Sequence, residues 1–307
     1  MSAIDKIEEL QNLLREDPKN FQARRQLAVL LMDNGFTQEA LKNLLYISKT
    51  FPDDSGIWYN LGIAYEKLKQ YPKAQEAYEK SIEIDPDELD AVYNLGLVYS
   101  ELQNYDNAIK CFEKVIESDN NDSNSYFSLA LAYFKTNQYA KAFENFKKTL
   151  ELNDEDLYAH FYMGNMLKIF DDLDGAEDEF YKVLELSPDY SWAYFNIASI
   201  EYEKGNIEEA IENLNSTISL NPADAEAYKI LAKIYAKEND NDEALNIIEQ
   251  ALETCGNNGD LYYIGAKLCE RLNDTENYKQ YLQNAINNKQ TLSIDSQKVK
   301  TELNKVQ

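Results

Sequence analysis

Alanine returns along this chain at a fixed interval of 34 residues, at Ala40, Ala74, Ala108, Ala142, Ala176, Ala210 and Ala244. Other positions keep the same phase when slots are counted from Phe21, Ser55, Leu89, Ser123, Leu157, Ser191 and Ala225. Slot seven is large and apolar (Leu27, Leu61, Leu95, Leu129, Met163, Ile197, Leu231), and slot eight is always tiny (Ala28, Gly62, Gly96, Ala130, Gly164, Ala198, Ala232). Slot eleven carries Leu31, Tyr65, Tyr99, Tyr133, Leu167 and Tyr235, with Glu201 as the departure, and slot 24 carries Leu44, Tyr78, Phe112, Phe146, Phe180, Leu214 and Ile248. Apolar residues three or four apart, in two groups per unit, predict two amphipathic helices per unit and an array in which each unit buries its face on its neighbours. The small residues at slots eight and twenty are expected to let the two antiparallel helices approach closely, with slot 24 filling the neighbouring layer. Tyr202 is expected to take over the aromatic packing that Glu201 cannot supply.

Five of the six prolines (Pro18, Pro52, Pro86, Pro188, Pro222) share the phase, with Asn120, Asp154 and Gly256 in the skipped places. A proline there predicts the end of each second helix. Trp58, Leu61, Gly62, Tyr65, Ala74, Tyr78 and Pro86 together resemble the tetratricopeptide pattern, which recurs over residues 21–258. The resemblance implies an all-α fold, a right-handed α-solenoid of helix-turn-helix repeats, and a protein-binding role without specifying the partner.

Length alone suggests about two ordinary domains, but a solenoid has one core that grows with repeat number, so one domain is expected. Its parts are an N-terminal half-repeat helix over residues 1–20, seven repeats over 21–258, a divergent eighth over 259–292 and a C-terminal capping helix over 293–307. Leu10, Leu13 and Leu14 are expected to face the first pair. In the eighth repeat Ile264, Gly265 and Leu268 fit a helix one step out of phase, while Ala285 returns to phase. Ser293 is expected to cap the last helix, which carries Ile294, Val299, Leu303 and Val306.

The formal charge of −25, from 55 acidic and 30 basic residues, disfavours nucleic acid as a partner. The excess acid is expected to coat the second helices. The N-terminus lacks a basic stretch followed by an apolar run, and no window approaches the ~18 apolar residues of a membrane helix. A soluble, cytoplasmic protein with no membrane partner is the expectation. Cys111, Cys255 and Cys269 show neither metal spacing nor disulfide density and are expected to be reduced.

In the resembling family the first helix of each pair lines the concave side through slots two, five, six, nine, twelve and thirteen. Slot five gives Arg25, Tyr59, Tyr93, Phe127, Phe161, Phe195 and Lys229, so five aromatics stand in register, either as ligand contacts or as packing. Slot nine changes from Val29, Ile63, Leu97 and Leu131 to Asn165, Ser199 and Lys233, which makes the early repeats the more apolar. Slot six holds Asn60, Asn94 and Asn196, interrupted by Ser128 and Tyr162; a ladder of amides offers donors and acceptors to an extended peptide backbone. This resembles the asparagine ladder of O-linked N-acetylglucosamine transferases, without their transferase half. Lys229, Lys233 and Lys237 share one helix face and offer a place for an acidic ligand end, unless Glu203, Glu226 and other acids neutralise them. The dicarboxylate clamp of the family is not matched, since Phe161, Glu226 and Ile230 stand where it needs basic residues.

His160, the one histidine, shares slot four with Trp58, Tyr126, Tyr194 and Tyr228 and is expected to pack rather than to catalyse. Gly-rich phosphate loops and Cys/His clusters are absent from the sequence, and Asp171, Asp172 and Asp174 fit an interhelical turn better than a calcium loop. The expectation is therefore a monomeric, non-catalytic module, with no metal and no cofactor, that binds a protein or peptide segment in its groove. The alternatives are an assembly scaffold acting through outer faces and ends, where Tyr262, Tyr263 and Leu268 stand, and a regulatory subunit presenting substrates to a separate enzyme.

Overall fold

The computed structural model describes residues 2–306; Met1 and Gln307, which end the expected half-repeat and capping segments, lie outside it. Helix α1 spans Ala3–Glu16 and eight helix pairs follow. The first helices are α2 (Phe21–Asp33), α4 (Ser55–Lys67), α6 (Leu89–Glu101), α8 (Ser123–Lys135), α10 (Leu157–Ile169), α12 (Ser191–Lys204), α14 (Ala225–Lys237) and α16 (Gly259–Arg271). The second helices are α3 (Thr37–Ser48), α5 (Tyr71–Ile84), α7 (Tyr105–Ser118), α9 (Tyr139–Leu152), α11 (Leu173–Leu186), α13 (Ile207–Leu220), α15 (Asn241–Thr254) and α17 (Thr275–Asn287). A 3-10 turn (Lys289–Thr291) precedes α18 (Ser296–Val306). The architecture is an α-solenoid with no strand among the described residues.

The chain divides into two compact units, Met1–Ala159 and His160–Gln307. In the first unit α3 packs on α4, α5 on α6 and α7 on α8, while α6 also touches α8. In the second, α11 packs on α12, α13 on α14 and α15 on α16, and α14 touches α16.

Slot 24 does not fill the neighbouring layer alone, as the pattern suggested; it closes onto slot eight of its own pair. A methyl group on Gly96 would lie 2.6 Å from the Phe112 ring, and one on Gly164 would lie 2.9 Å from Phe180. The absent side chain is thus the space into which the ring fits. Pairs with Leu or Ile at slot 24 carry alanine at slot eight (Ala28 with Leu44, Ala198 with Leu214, Ala232 with Ile248), although Ala130 accepts Phe146. All these slot-24 side chains are fully or almost fully buried.

Each turn between paired helices contains one residue in the left-handed region: Gly35, Lys69, Gln103, Asn137, Asp171, Gly205, Asn239 and Asn273. They stand 34 apart. At Gly205 nothing lies within 4 Å of a would-be Cβ, so Gly205→Ala tests the backbone alone. It is expected to cost about 1–2 kcal/mol, measured as a lowered urea midpoint with unchanged slope.

Several first helices, though not α6 or α12, start just after an acidic or amide residue that accepts backbone N–H bonds: Asn20 from Ala23, Asp54 from Ile57, Asp122 from Asn124, Asp224 from Glu226 and Ala227, and Asn258 from Asp260 and Leu261. Part of the acid excess therefore caps first helices rather than coating second ones.

In the eighth pair the turn and the buried positions keep the phase of the other seven, whereas the glycine–ring contact is shifted by one step, as expected: Gly265 seats the Tyr281 ring, which also meets Tyr262 at 6.0 Å. Leu261, Ala266, Cys269, Tyr278, Leu282 and Ala285 are buried at slots three, eight, eleven, twenty, 24 and 27. Size diverges too: slot seven shrinks to Gly265 while slot twenty, elsewhere alanine, grows to Tyr278. Leu268 is buried, and Tyr262 and Tyr263 are half-buried. Ser293 does not cap α18, which starts three residues later; its N–H and hydroxyl both donate to Asp260 Oδ1, at 2.6 and 2.9 Å, tying the linker to α16. Val299 and Leu303 of α18 are buried with Cys269, Leu282 and Ala285.

Burial pushes the Cys269 and Cys111 thiols up to about 11. At pH 8 only about a thousandth of either is thiolate. Alkylation of the native chain at that pH should leave buried Cys269 unmodified and proceed there only on unfolding, which mass spectrometry of digests will show.

Candidate functional site

The aromatic residues of slot five are half-buried. Ring centroids lie 6.0 Å apart for Tyr59 and Tyr78, 5.7 Å for Tyr93 and Phe112, 5.7 Å for Phe127 and Phe146, and 5.8 Å for Phe161 and Phe180. They meet the slot-24 ring in tilted or edge-to-face contact, so they stiffen the pair as much as they cover its surface. Phe195, whose pair carries Leu214 instead, meets Trp192 at 6.3 Å. In the first unit the phenols also link successive pairs: Asn94 donates to Tyr59 Oη at 3.4 Å, and Tyr93 Oη and Ser128 Oγ are 3.1 Å apart. Burial holds both phenols above their ordinary pKa.

The slot-six amides are partly committed. Asn60 donates to Gly56 O (2.7 Å) and Asn196 to Trp192 O (2.8 Å), each one turn back on its own helix; Asn165 at slot nine does the same to Phe161 O (3.0 Å). With the donor turned back, Asn60 and Asn165 offer the carbonyl oxygen, an acceptor for a ligand N–H. Asn196 is buried, and its Oδ1 already accepts from Lys168 Nζ at 2.9 Å, so it supports other side chains rather than presenting itself.

Ile63, Leu97 and Leu131 at slot nine are half-exposed. Leu97 and Leu131 line a cleft of about 730 Å3 in the first unit, with Phe112, Ser100 and Ser128 beside them and Lys67, Lys135, Glu66, Glu101, Tyr71 and Tyr105 around them. A second cleft of about 640 Å3 is lined by Leu10 of α1, Arg25, Gln26, Val29 and Leu30 of α2, and Ile57 and Asn60 of α4; Arg25 is ion-paired with Asp54. The sequence reading missed Tyr71 and Tyr105 at slot seventeen and the charges at slots twelve and thirteen. Their signal was present: Glu66 and Lys67, then Ser100 and Glu101, recur at one-repeat spacing.

The three lysines of α14 differ in their surroundings: Lys233 and Lys237 are exposed, and Lys229 is not. Lys229 is half-buried, ion-paired with Glu226 and 3.8 Å from Asp260 Oδ2. Lys233 and Lys237 lie over the Tyr202 ring, 5.6 and 4.7 Å from its centroid. Tyr202 packs partly buried against the apolar core of the second unit, as expected, and also serves as a platform for lysines. Glu201 itself occupies that slot, only 4% exposed.

His160 is 8% exposed, and its Nδ1 lies 2.6 Å from Glu179 Oε2 on α11, a pair that joins the two helices. Asp172 accepts from Gly175 N and caps α11, while Asp171 takes the left-handed turn position. No group of three or more His, Cys, Asp or Glu that could hold a metal occurs among the described residues. No described helix is long and apolar enough to cross a membrane.

Tetratricopeptide repeat models match residues 2–56, 56–88, 77–110, 170–234 and 201–268. The chain belongs to the tetratricopeptide repeat family, whose members are protein-interaction modules, typically without catalysis. A model described as anaphase-promoting complex, cyclosome, subunit 3 matches residues 101–182. No curated protein matches the chain significantly. Among solved structures, MamA (residues 41 to the end) from Desulfovibrio magneticus RS-1 is 27% identical with a TM-score of 0.54, over 56% of this chain and 97% of that one. YrrB, described as a tetratricopeptide protein with an unusual peptide-binding site, is 25% identical with a TM-score of 0.53, over 64% of this chain and 97% of that one. The C-terminal part of a tetratricopeptide protein from Cytophaga hutchinsonii shares the fold, at 17% identity and a TM-score of 0.66, over 78% of this chain and 98% of its own.

Proposed function

We propose that the chain is a non-catalytic cytoplasmic module that acts as a monomer and holds a peptide segment of a partner protein on its first helices. The clefts of the first unit are the principal site. The half-repeat, seven repeats, divergent eighth and capping helix are the corresponding division of the chain. The observation that carries this reading is the 730 Å3 cleft, whose half-exposed Leu97 and Leu131 stand among charges of both signs. Apolar area with a polar surround is the anatomy of a recognition surface. In this reading Ile63 extends the apolar floor, and Asn60 offers its carbonyl to ligand N–H groups. Tyr59, Tyr93 and Phe127 set the floor's shape from below, and Asn94 fixes Tyr59. The peptide-binding site named for YrrB supports the same class of ligand.

The test is capture of partners from a cell extract by the intact chain and by Leu97→Glu/Leu131→Glu. Both positions are half-exposed, so the fold should persist, with an unchanged melting curve by circular dichroism as the check. Loss of at least tenfold of a captured protein is expected, since two buried charges without partners each cost on the order of 1–3 kcal/mol. Equal capture by both forms would move the function to the second helices or the chain ends and favour an assembly scaffold.

A further inference from the structure

In the second unit, one lysine on the first-helix face differs both from the ion-paired cations around it and from Lys233 and Lys237, which are exposed over the Tyr202 ring. Lys204 contacts Asp174, Glu177 and Glu201, Lys229 contacts Glu226 and Asp260, and Lys267 contacts Glu270 and Glu302. Lys168, at the C-terminal end of α10, is half-buried, and the partner of its ammonium is a neutral amide, Asn196 Oδ1 at 2.9 Å. Desolvation lowers its pKa, partly offset by the charge of Glu203. The charge has lost water without gaining a contacting carboxylate.

The surroundings hold that ammonium in place. Asn196 is buried, and its other end donates to Trp192 O at 2.8 Å. Trp192 precedes it by one turn, so the two share a face of α12. The Trp192 indole is 52% exposed, although Phe195 packs on it edge to face. Asn165, on the same face of α10 as Lys168, has its donor turned back to Phe161 O and its carbonyl left as an acceptor. An ammonium, an amide acceptor and an exposed indole are therefore presented together by α10 and α12.

We infer that Lys168 receives an acidic side chain of the bound peptide, with Trp192 covering an apolar neighbour of that residue; this rests on the reading that the first helices hold a peptide. The net charge of −25 does not oppose it, because screening confines exposed charges to about 8 Å at physiological salt whereas the ammonium would touch the ligand. A partly desolvated cation that gains a carboxylate recovers the interaction it lacks. Lys229 of α14 is already engaged by carboxylates, and Lys233 and Lys237 are exposed over the Tyr202 ring rather than half-buried against an amide.

The probe is an array of terminally blocked nonapeptides of randomised sequence whose central residue is fixed as Glu or as Gln, incubated with the full chain. The intact chain should retain the Glu set about tenfold better than the Gln set, as a charge-assisted hydrogen bond implies. Lys168→Met should abolish the preference while Lys229→Met keeps it. Removing a desolvated charge does not threaten folding, and a matching melting curve checks this. In a Trp58→Phe background, the fluorescence of Trp192 should shift to the blue with Glu peptides and not after Lys168→Met. Binding of both sets without preference, or a preference that survives Lys168→Met, overturns this inference and leaves the peptide reading intact. Retention of neither set overturns both.

Discussion

Phe112→Ala is expected to cost about 3–5 kcal/mol, the largest loss of any single side chain discussed for the first unit. The ring is fully buried on α7, fills the space above Gly96 of α6 and meets Tyr93 in a tilted contact. Its removal leaves a void between two helices whose spacing is already set by the ring, so collapse is hindered and the cavity persists. Urea unfolding followed by circular dichroism gives the magnitude. The distinctive part is the partner: Gly96→Ala alone forces a methyl to within 2.6 Å of the ring and should destabilise. In the Phe112→Ala background the same methyl enters the void and should restore about 1 kcal/mol. Additive losses in the double mutant would show that slots eight and 24 do not share one space. Coupling in an array is chiefly between neighbours, so the transition should also broaden as the third pair loosens before the others.

The same contact explains what the sequence could and could not disclose. The period, the helix pairing and the buried slots were legible because each unit repeats one solution to the same packing problem, and chance does not place seven alanines 34 apart. The direction of the slot-24 side chain was not legible, since periodicity shows that a residue is buried without naming its neighbour. The left-handed turn position escaped notice for a different reason. Gly, Asn and Asp, which adopt this conformation most readily, fill six of the eight places, but Lys69 and Gln103 interrupt them, and there the backbone demands the conformation and the sequence tolerates its cost.

At the candidate site the half-exposed slot-nine side chains were legible, while two groups carried two readings that spacing alone did not separate. Tyr59, Tyr93, Phe127 and Phe161 read as a stripe either for ligand contact or for packing; their partners are rings nineteen residues away on the second helix, beyond any local pattern. The lysines of α14 read as a cationic face because their helix spacing is visible, whereas Asp260 and Tyr202 belong to other helices. Spacing along one helix reveals a face; only neighbours decide whether that face is free. Lys168 shows the converse, a residue without a motif that became noticeable once its partner was seen to be an amide.

Lys204→Met is expected to destabilise the second unit by about 1–2 kcal/mol at pH 7: the lysine is exposed, so solvent screens most of its pairing, and the loss falls chiefly on buried Glu201. Lys204 Nζ is 2.7 Å from Asp174, 2.5 Å from Glu177 and 3.5 Å from Glu201. These hydrogen bonds and charges hold the ammonium well above its ordinary pKa. Glu201 is buried beneath it; burial pushes its carboxyl up, but hydrogen bonds from Asn206 and Glu209 and the charge of Lys204 outweigh that and bring it below the usual carboxylate value. Glu209, hydrogen-bonded to Glu201, moves the other way and is raised. In the intact chain a depressed Glu201 contributes stability above the carboxylate's unfolded pKa near 4.5, and that contribution is lost as pH falls through the lower folded value. Without Lys204 the acids at 174, 177, 201 and 209 have lost their common cation, the folded-state pKa of Glu201 should rise above the unfolded one, and the sign reverses. Stability of the variant should then increase as pH falls from 7 towards 4.5, narrowing the gap to the intact chain, whereas Glu201→Gln in the same background should recover much of the loss already at pH 7. Thermal melts across that range read both effects. A gap that stays constant with pH would mean that the lysine acts through its aliphatic stem and that the buried carboxylate is satisfied by Asn206 without it.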